Sequence, residues 1–271
     1  MSQSNQPDTA HEAAAEETKR MVQQNFGAAA ADYVTSKVHA GGEDLEWLAE
    51  NAALSGGEHV LDVATGGGHT AFALAPRAAE VVALDLTRPM LEAAQKEAMA
   101  RGLTNISYVE GDAQALPFAD ASFDVVSCRH AAHHFPNVQQ AIGEWARVLK
   151  SGGRLLLVDS TSPEEKAAGA MLHRIESLRD PSHVRNQRIS EWRAYLSAAG
   201  FSVRIAREWG LFLDVPSWTQ RMRTPAASVA TIEQLIHDAD PAVRARLGCE
   251  ERDGAPGFRL PIALILAVKE R

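Results

Sequence analysis

Cysteine is nearly absent from this chain. Only Cys128 and Cys249 occur among 271 residues, which argues against a disulfide framework or a cysteine zinc site. Basic charge is also short: 27 Lys and Arg stand against 35 Asp and Glu, a net charge of −8. Broad, sequence-independent nucleic-acid binding rests on cationic contacts to phosphates, so nucleic acid is not an expected partner. Long apolar runs are missing too. The longest, Ile262 to Val268, is far below the ~20 residues of a membrane-spanning helix. Residues 1–20 are acidic and polar, without the apolar stretch of a signal peptide. The expectation is a cytoplasmic globular protein with no membrane span. Its length is about twice the ~150-residue soft prior for one domain, and 45% apolar residues suffice for a sizeable core.

Residues 1–20, rich in Ala, Glu and Gln, read as a disordered or frayed tail, and 21–54 as an N-terminal helical cap. From residue 55 strands and helices alternate. His59–Val63, Glu80–Asp85, Asn105–Glu110, Phe123–Cys128 and Leu155–Val158 read as strands. Between them, Thr87 and Gly102 bracket one predicted helix and Asn137 caps another that stops at Ser151-Gly152-Gly153. The pattern predicts a Rossmann-like α/β domain over 55–271, its sheet covered by helices on both faces. Ligands of such sheets bind beyond the carboxyl ends of the strands. Segments 160–200 and 210–257 break the alternation and read as substrate-side elements, the second a helical insertion before the final strand.

Val60-Leu61-Asp62-Val63-Ala64-Thr65-Gly66-Gly67-Gly68 is the most informative stretch. Glycines after a strand allow a tight turn and close approach of backbone to ligand. Gly66, Gly68 and Ala71 also satisfy a dinucleotide pattern, so a nicotinamide-dependent oxidoreductase is one reading and a purely structural turn another. The surrounding acids favour a different ligand. Asp62, four residues before Gly66, suits an ammonium group better than a pyrophosphate. Asp85 closes the second strand and suits ribose hydroxyls. Asp112, after the third, suits an exocyclic adenine amine. S-adenosyl-L-methionine carries all three groups.

With Val81-Val82-Ala83-Leu84-Asp85, Met90-Leu91, Val109-Glu110-Gly111-Asp112-Ala113 through Phe118, Phe123-Asp124-Val125-Val126 and Arg147-Val148-Leu149-Lys150, these motifs span roughly 55–160 in order. The chain resembles the class I S-adenosylmethionine-dependent methyltransferases, in the subgroup similar to the ubiquinone/menaquinone C-methyltransferases. The resemblance implies a seven-stranded sheet with strands six and seven at 202–208 and 258–268, the last antiparallel. It implies methyl transfer by in-line displacement to a small-molecule acceptor at oxygen, carbon or nitrogen, with S-adenosyl-L-homocysteine as product. A non-catalytic cofactor-binding protein on the same fold is the remaining alternative. Carried over by residue, Asp62, Ala64, Gly66, Gly67 and Gly68 would hold the methionine end. Asp85 would take the ribose, Leu86 and Met90 the adenine face, and Asp112 and Ala113 the adenine edge. Arg129 would pair the carboxylate, with Tyr33 and Phe26 on a helix over the cofactor.

For proton transfer, His130 and His134 sit at helical spacing after the fourth strand, beside His133. His134, His130 and His183 are the candidate bases; the plainer reading packs one against the sheet and leaves another solvated. No third ligand at a recognisable spacing accompanies them, so no metal is expected. Arg179, His183 and Arg185 lie where the family builds its acceptor pocket. Arg179, Arg185, His133 and Trp218 are the candidate substrate-binding residues, although a surface pair of Arg179 with Asp180 and a simple core role for Trp218 fit as well. Oligomeric state is not legible.

Overall fold

The structure, a computed structural model, describes residues 9–35 and 41–270. Five parallel strands form its centre: β1 (His59–Val63), β2 (Glu80–Asp85), β3 (Ile106–Glu110), β4 (Phe123–Arg129) and β5 (Leu149–Ser162). β6 (Gln187–Arg188) pairs with the end of β5. The chain then forms β7 (Phe201–Asp214), β8 (Glu250–Arg252) and β9 (Ala255–Lys269). The main sheet runs β3-β2-β1-β4-β5-β9-β7, and β9 lies antiparallel between β5 and β7. Two short strands, β6 and β8, are additional to the seven expected.

Period-two alternation assigns each strand residue to one face. Leu61, Val63, Leu84, Val126, Leu155 and Leu157 pack on one side with the fully buried Trp145 and Trp192. Val60, Val81, Ala83, Val125, Leu156 and Val158 pack on the other with Leu48 and Leu74. Both faces are covered by helices, as buried parallel strands require. α1 is Thr9–Thr35, α2 Glu43–Asn51, α3 His69–Leu74 and α4 Arg88–Ala100. α5 (Val138–Val148) starts where Asn137 accepts the Gln140 N–H, at 3.1 Å, and presents Ile142 and Trp145 to the sheet. α6 (Lys166–Arg179) and α7 (Ile189–Ala198) follow β5.

Three local expectations change. α1 already begins at Thr9, inside the segment read as a tail; its anchors, described below, are tertiary and leave no mark on composition. The strand read over 202–208 runs on to Asp214, paired with β9 as far as Asp214↔Gly257. Gly210 masked the alternation of Trp209, Leu211 and Leu213. Only beyond it does the helical insertion begin, with α8 (Val215–Arg221), α9 (Ala226–Asp238) and α10 (Pro241–Arg246). Finally, Ser190 has the side chain of an N-cap for the helix that ends before Gly200, but it does not serve as one. Arg188 holds the N-cap of α7, and Ser190 bonds Glu164 instead.

The insertion has its own apolar centre, in which Leu172, Ile175, Val215, Trp218, Ile232 and Phe258 join α6, α8, α9 and β9. Phe258 is fully buried and meets Trp218 edge to face at 5.1 Å. Phe258→Ala is expected to lower unfolding stability by ~3–5 kcal/mol, the usual cost of deleting a buried ring. Denaturant unfolding measures it, and a loss under ~1 kcal/mol would show that this lobe is not packed as described.

Candidate functional site

One cavity of about 770 Å³ opens along the carboxyl ends of β1 to β5, within the ~300–1,000 Å³ typical of small-molecule sites. At one end, the turn after β1 presents Ala64, Thr65, Gly66 and Gly67. Ala64 and Gly66 are left-handed, at φ 54° and 53°, a strained state for alanine. A Cβ at Gly66 would reach within 3.5 Å of Met90 Cε, and both residues line the cavity. Gly68 is different. A Cβ there would meet the Phe72 ring at 2.5 Å and Ala94 at 3.0 Å, so this glycine serves the packing of α3 on α4.

Asp85 holds the loop. Its Oδ2 accepts the Gly66 N–H and its Oδ1 the Thr87 N–H, both at 2.8 Å. Thr87 therefore starts α4 through its backbone, with no cap bond from its own hydroxyl. Burial pushes the Asp85 carboxyl above its ordinary pKa, against the pull of these two amides. Asp112 also faces the cavity, with Oδ1 accepting the Gln114 N–H at 2.8 Å. Its Oδ2 lies 2.9 Å from Lys19 Nζ on α1. The same helix bonds the Leu86 carbonyl through Gln23 Nε2 at 3.0 Å and sets Phe26 against His134, ring centres 5.3 Å apart. α1 therefore roofs the cavity from Asp112 to His134.

Arg129, at the end of β4, donates through Nε to Asp44 Oδ2 at 2.6 Å, and His130 Nε2 meets that same oxygen at 3.1 Å. Burial opposes ionisation of Asp44, but the His130 and Arg129 hydrogen bonds outweigh it and hold its pKa well below the usual range. Asp44, Arg129 and His130 all line the cavity. His130 takes a left-handed φ of 52°, and residues 132–134 form a 3₁₀ turn. His130 and His134 therefore do not share a helical face.

The far end of the cavity is half apolar, half polar. Trp209, Leu211 and Leu213 of β7, opposite Leu260 and Ile262 of β9, form a wall with Trp218. Facing them are His133, His134, Ser160, Glu176 and Arg179. The Asp159 carboxylate, 2% exposed, takes His133 Nδ1 at 2.6 Å and the His133 backbone N–H at 3.1 Å. Burial disfavours the imidazolium, but Asp159 prevails and raises the His133 pKa. His134 shows the reverse. Burial and the neighbouring His133 push it down to about 4, and its Nδ1–H donates to the Ser182 carbonyl at 3.0 Å. Arg179 lies 4.8 Å over the Trp218 ring and donates from Nε to the Trp218 carbonyl at 3.2 Å. No group of three or more metal-type ligands occurs among the described residues.

A family model described as a methyltransferase domain matches residues 61–157. The uncharacterized methyltransferase YcgJ of Bacillus subtilis is 39% identical over 239 residues, which make up 88% of this chain and 94% of that protein. Its solved structure superposes with a TM-score of 0.82 at 37% identity, covering 84% of this chain and 99% of that one. This chain belongs to the S-adenosylmethionine-dependent methyltransferases.

A putative methyltransferase from Bacillus halodurans C-125 superposes equally well, at TM-score 0.82 and 38% identity over 85% of this chain and all (100%) of that one. Demethylmenaquinone methyltransferase of Thermus thermophilus is 41% identical over 133 residues, 47% of this chain and 60% of that protein. The methyltransferase fold brings Ala64, Gly66, Gly67, Asp85, Leu86, Met90, Asp112, Ala113 and Arg129 to one cavity. These residues fit the methionine-linked nucleoside: a backbone cradle that a Cβ would narrow, two acids along one side, and a guanidinium beyond. It also brings His130, His133, His134, Arg179 and Trp218 there. The Tyr33 side chain lies outside the described residues.

Four expected positions need correcting. Asp62 lies behind the loop, 1% exposed, accepting from Thr65 Oγ1 at 2.6 Å and Ser127 Oγ at 2.7 Å. Strand alternation turns it to the same face as Val60, and burial pushes its carboxyl up to about 6. Gly68 packs helices. His183 is buried beside Glu176, off the cavity wall, and Arg185 pairs with Glu191 away from it. Arg179 and Asp180 form no surface pair, because Asp180 is buried and holds Ser182. The sequence reading missed Lys19, Asp44, Asp159 and Glu176. Asp159 alone had a signal: like Asp85, it follows a run of apolar strand residues, Leu155 to Val158.

Asp85→Asn removes the charge from two backbone anchors and from the cavity wall. Calorimetric affinity for S-adenosylhomocysteine is expected to fall ~10–100-fold, the range of hydrogen bonds to a charged group. An unchanged affinity would remove Asp85 from the site.

Proposed function

We propose that this methyltransferase alkylates a small-molecule acceptor with an apolar body and an ionisable group, at oxygen, carbon or nitrogen, with His133 as general base. One observation carries the reading: the glycine turn and the His133–Asp159 pair open into one cavity whose far wall is Trp209, Leu211, Leu213 and Trp218. The matched family model ends at residue 157, so α6, β7 and α8, which shape the acceptor end, lie outside it. The T. thermophilus relative's name supports an aromatic acceptor.

When bound, S-adenosylmethionine supplies an electrophilic methyl group on a sulfonium. Asp85, Asp112, the backbone of Ala64 to Gly67, and Arg129 would hold it. Asp44 keeps Arg129 in place, since a buried guanidinium without its anion is costly. The chain's remaining work is alignment and proton management. Holding the acceptor in line lowers the barrier through lost entropy already accounted for on binding. The Trp and Leu wall excludes water from the acceptor end. Asp159 occupies His133 Nδ1 and fixes the tautomer, which leaves Nε2 as the nitrogen able to take the acceptor's proton. His134 is the weaker base at neutral pH, because its pKa is low, and His130 is committed to Asp44.

A base must be unprotonated. Because the His133 pKa is raised above 6.5, activity is expected to rise with pH through a limb above that value. Asp159→Asn removes the charge that raises it, so the limb moves to lower pH. His133→Ala is expected to lower kcat ~100- to 10,000-fold with cofactor affinity unchanged. Release of S-adenosylhomocysteine over a panel of phenols, quinols and aryl amines measures all three. A pH limb that stays put in Asp159→Asn, or full turnover in His133→Ala, would return the pair to a structural role.

A further inference from the structure

We propose that Glu176, held by Asn186, is a specificity-determining hydrogen-bond donor that selects acceptors presenting a neutral carbonyl-type oxygen and turns away carboxylates. The proposal rests on the acceptor end as assigned above and adds what that end recognises.

Glu176 projects from α6, is only 7% exposed, and lines the cavity. Its Oε2 accepts from Asn186 Nδ2, and Asn186 Oδ1 in turn accepts the Ser160 Oγ–H at 2.7 Å. Asn186 thus ties α6 to β5, next to Asp159. With Oε2 held, Oε1 is left for the cavity. Among the described residues no Lys or Arg pairs with this carboxyl, although Arg179 favours its charged form from a distance. Arg179, one turn further along the helix, is directed onto the Trp218 ring and carbonyl. His183 Nε2 stands 3.7 Å from Oε2 and has no hydrogen-bond partner among the described residues. Burial, together with His133, His134 and His173, keeps that imidazole neutral. His133 favours the Glu176 carboxylate but is itself paired with Asp159, whose charge opposes it.

A buried carboxyl without a partner charge prefers its neutral form, and burial pushes Glu176 up to about 7. In that form it carries an O–H. A ketone, quinone or ester oxygen can accept it. A carboxylate ligand would hold the proton in place but forfeit its own solvation against Trp209, Leu211, Leu213 and Trp218, where Arg179 is turned onto Trp218 and Arg221 and Arg223 are exposed to solvent. Acid and base then face one cavity with opposite bias: His133 takes a proton, and Glu176 keeps one.

The test uses the full chain saturated with S-adenosylhomocysteine and three probes shaped for the apolar wall: 2-acetylnaphthalene, 2-ethylnaphthalene and 2-naphthoate. At pH 6 the ketone is expected to bind ~3–10-fold more tightly than the hydrocarbon, the scale of one net hydrogen bond, and more tightly than the carboxylate. The ketone preference should fade as pH rises through about 7 and Glu176 ionises. Glu176→Gln keeps a donor that does not titrate, so its preference should persist at pH 8.5. Glu176→Leu should lose the preference at every pH. Ketone and hydrocarbon binding within two-fold, a preference that survives in Glu176→Leu, or tighter binding of naphthoate would each overturn the proposal. Binding of S-adenosylhomocysteine is read in the same titrations. If the wild-type chain fails to bind it, the methyltransferase site itself is wrong; if it binds and the probe pattern fails, only the role of Glu176 falls.

Discussion

The site depends on one buried carboxylate with two backbone clients. Asp85 takes the N–H of Gly66 from the loop after β1 and the N–H of Thr87 at the head of α4. Parallel strands end with unpaired backbone groups on one edge of the sheet, and something must satisfy them when that edge is partly buried. A single acid at the end of β2 does so for two neighbouring elements. It thereby sets the spacing between the glycine turn, which must approach the ligand through its backbone, and Met90, which closes the opposite side. Asp62 does the corresponding work one layer deeper, joining Thr65 of the loop to Ser127 of β4.

From that frame the cavity divides by chemistry. The end assigned to the cofactor carries acids and exposed backbone, and the end proposed for the acceptor carries apolar side chains with a few titratable groups among them. Burial disfavours the charged form of every imidazole there, and the partner each finds decides the outcome. His133 meets Asp159 and gains proton affinity, whereas His134 and His183 meet other imidazoles and lose it. The result is one strong base and two neutral rings within a short 3₁₀ turn and the loop beside it. Electrostatic neighbours differentiate chemically identical side chains, which sequence order alone does not.

The sequence made much of the fold legible. Five strands, the helices between them, the glycine turn, Asp85, Asp112 and Arg129 all follow from local patterns: apolar runs of strand length, caps, and acids or bases placed directly after strands. These signals are local because backbone propensity and hydrophobic period act over a few residues. The same logic explains the misplacements. Alternation was visible through β1, but Asp62, which follows Val60 and Leu61, was read as pointing at the ligand. It instead shares the face of Val60. The strand β7 was cut short at Gly210, although Trp209, Leu211 and Leu213 continue its alternation into the cavity wall.

By itself the sequence determined the fold class, the cofactor and the order of the elements, since each is carried by local periodicity and by motifs readable along the chain. Only the tertiary structure decided which groups meet across it: Lys19 with Asp112, Asp44 with Arg129, His133 with Asp159, and Glu176 with Asn186. All but the last of these pairs are more than twenty residues apart in sequence. Their proton affinities depend on burial and on the nearest charge, and those quantities exist only after the chain has closed around them.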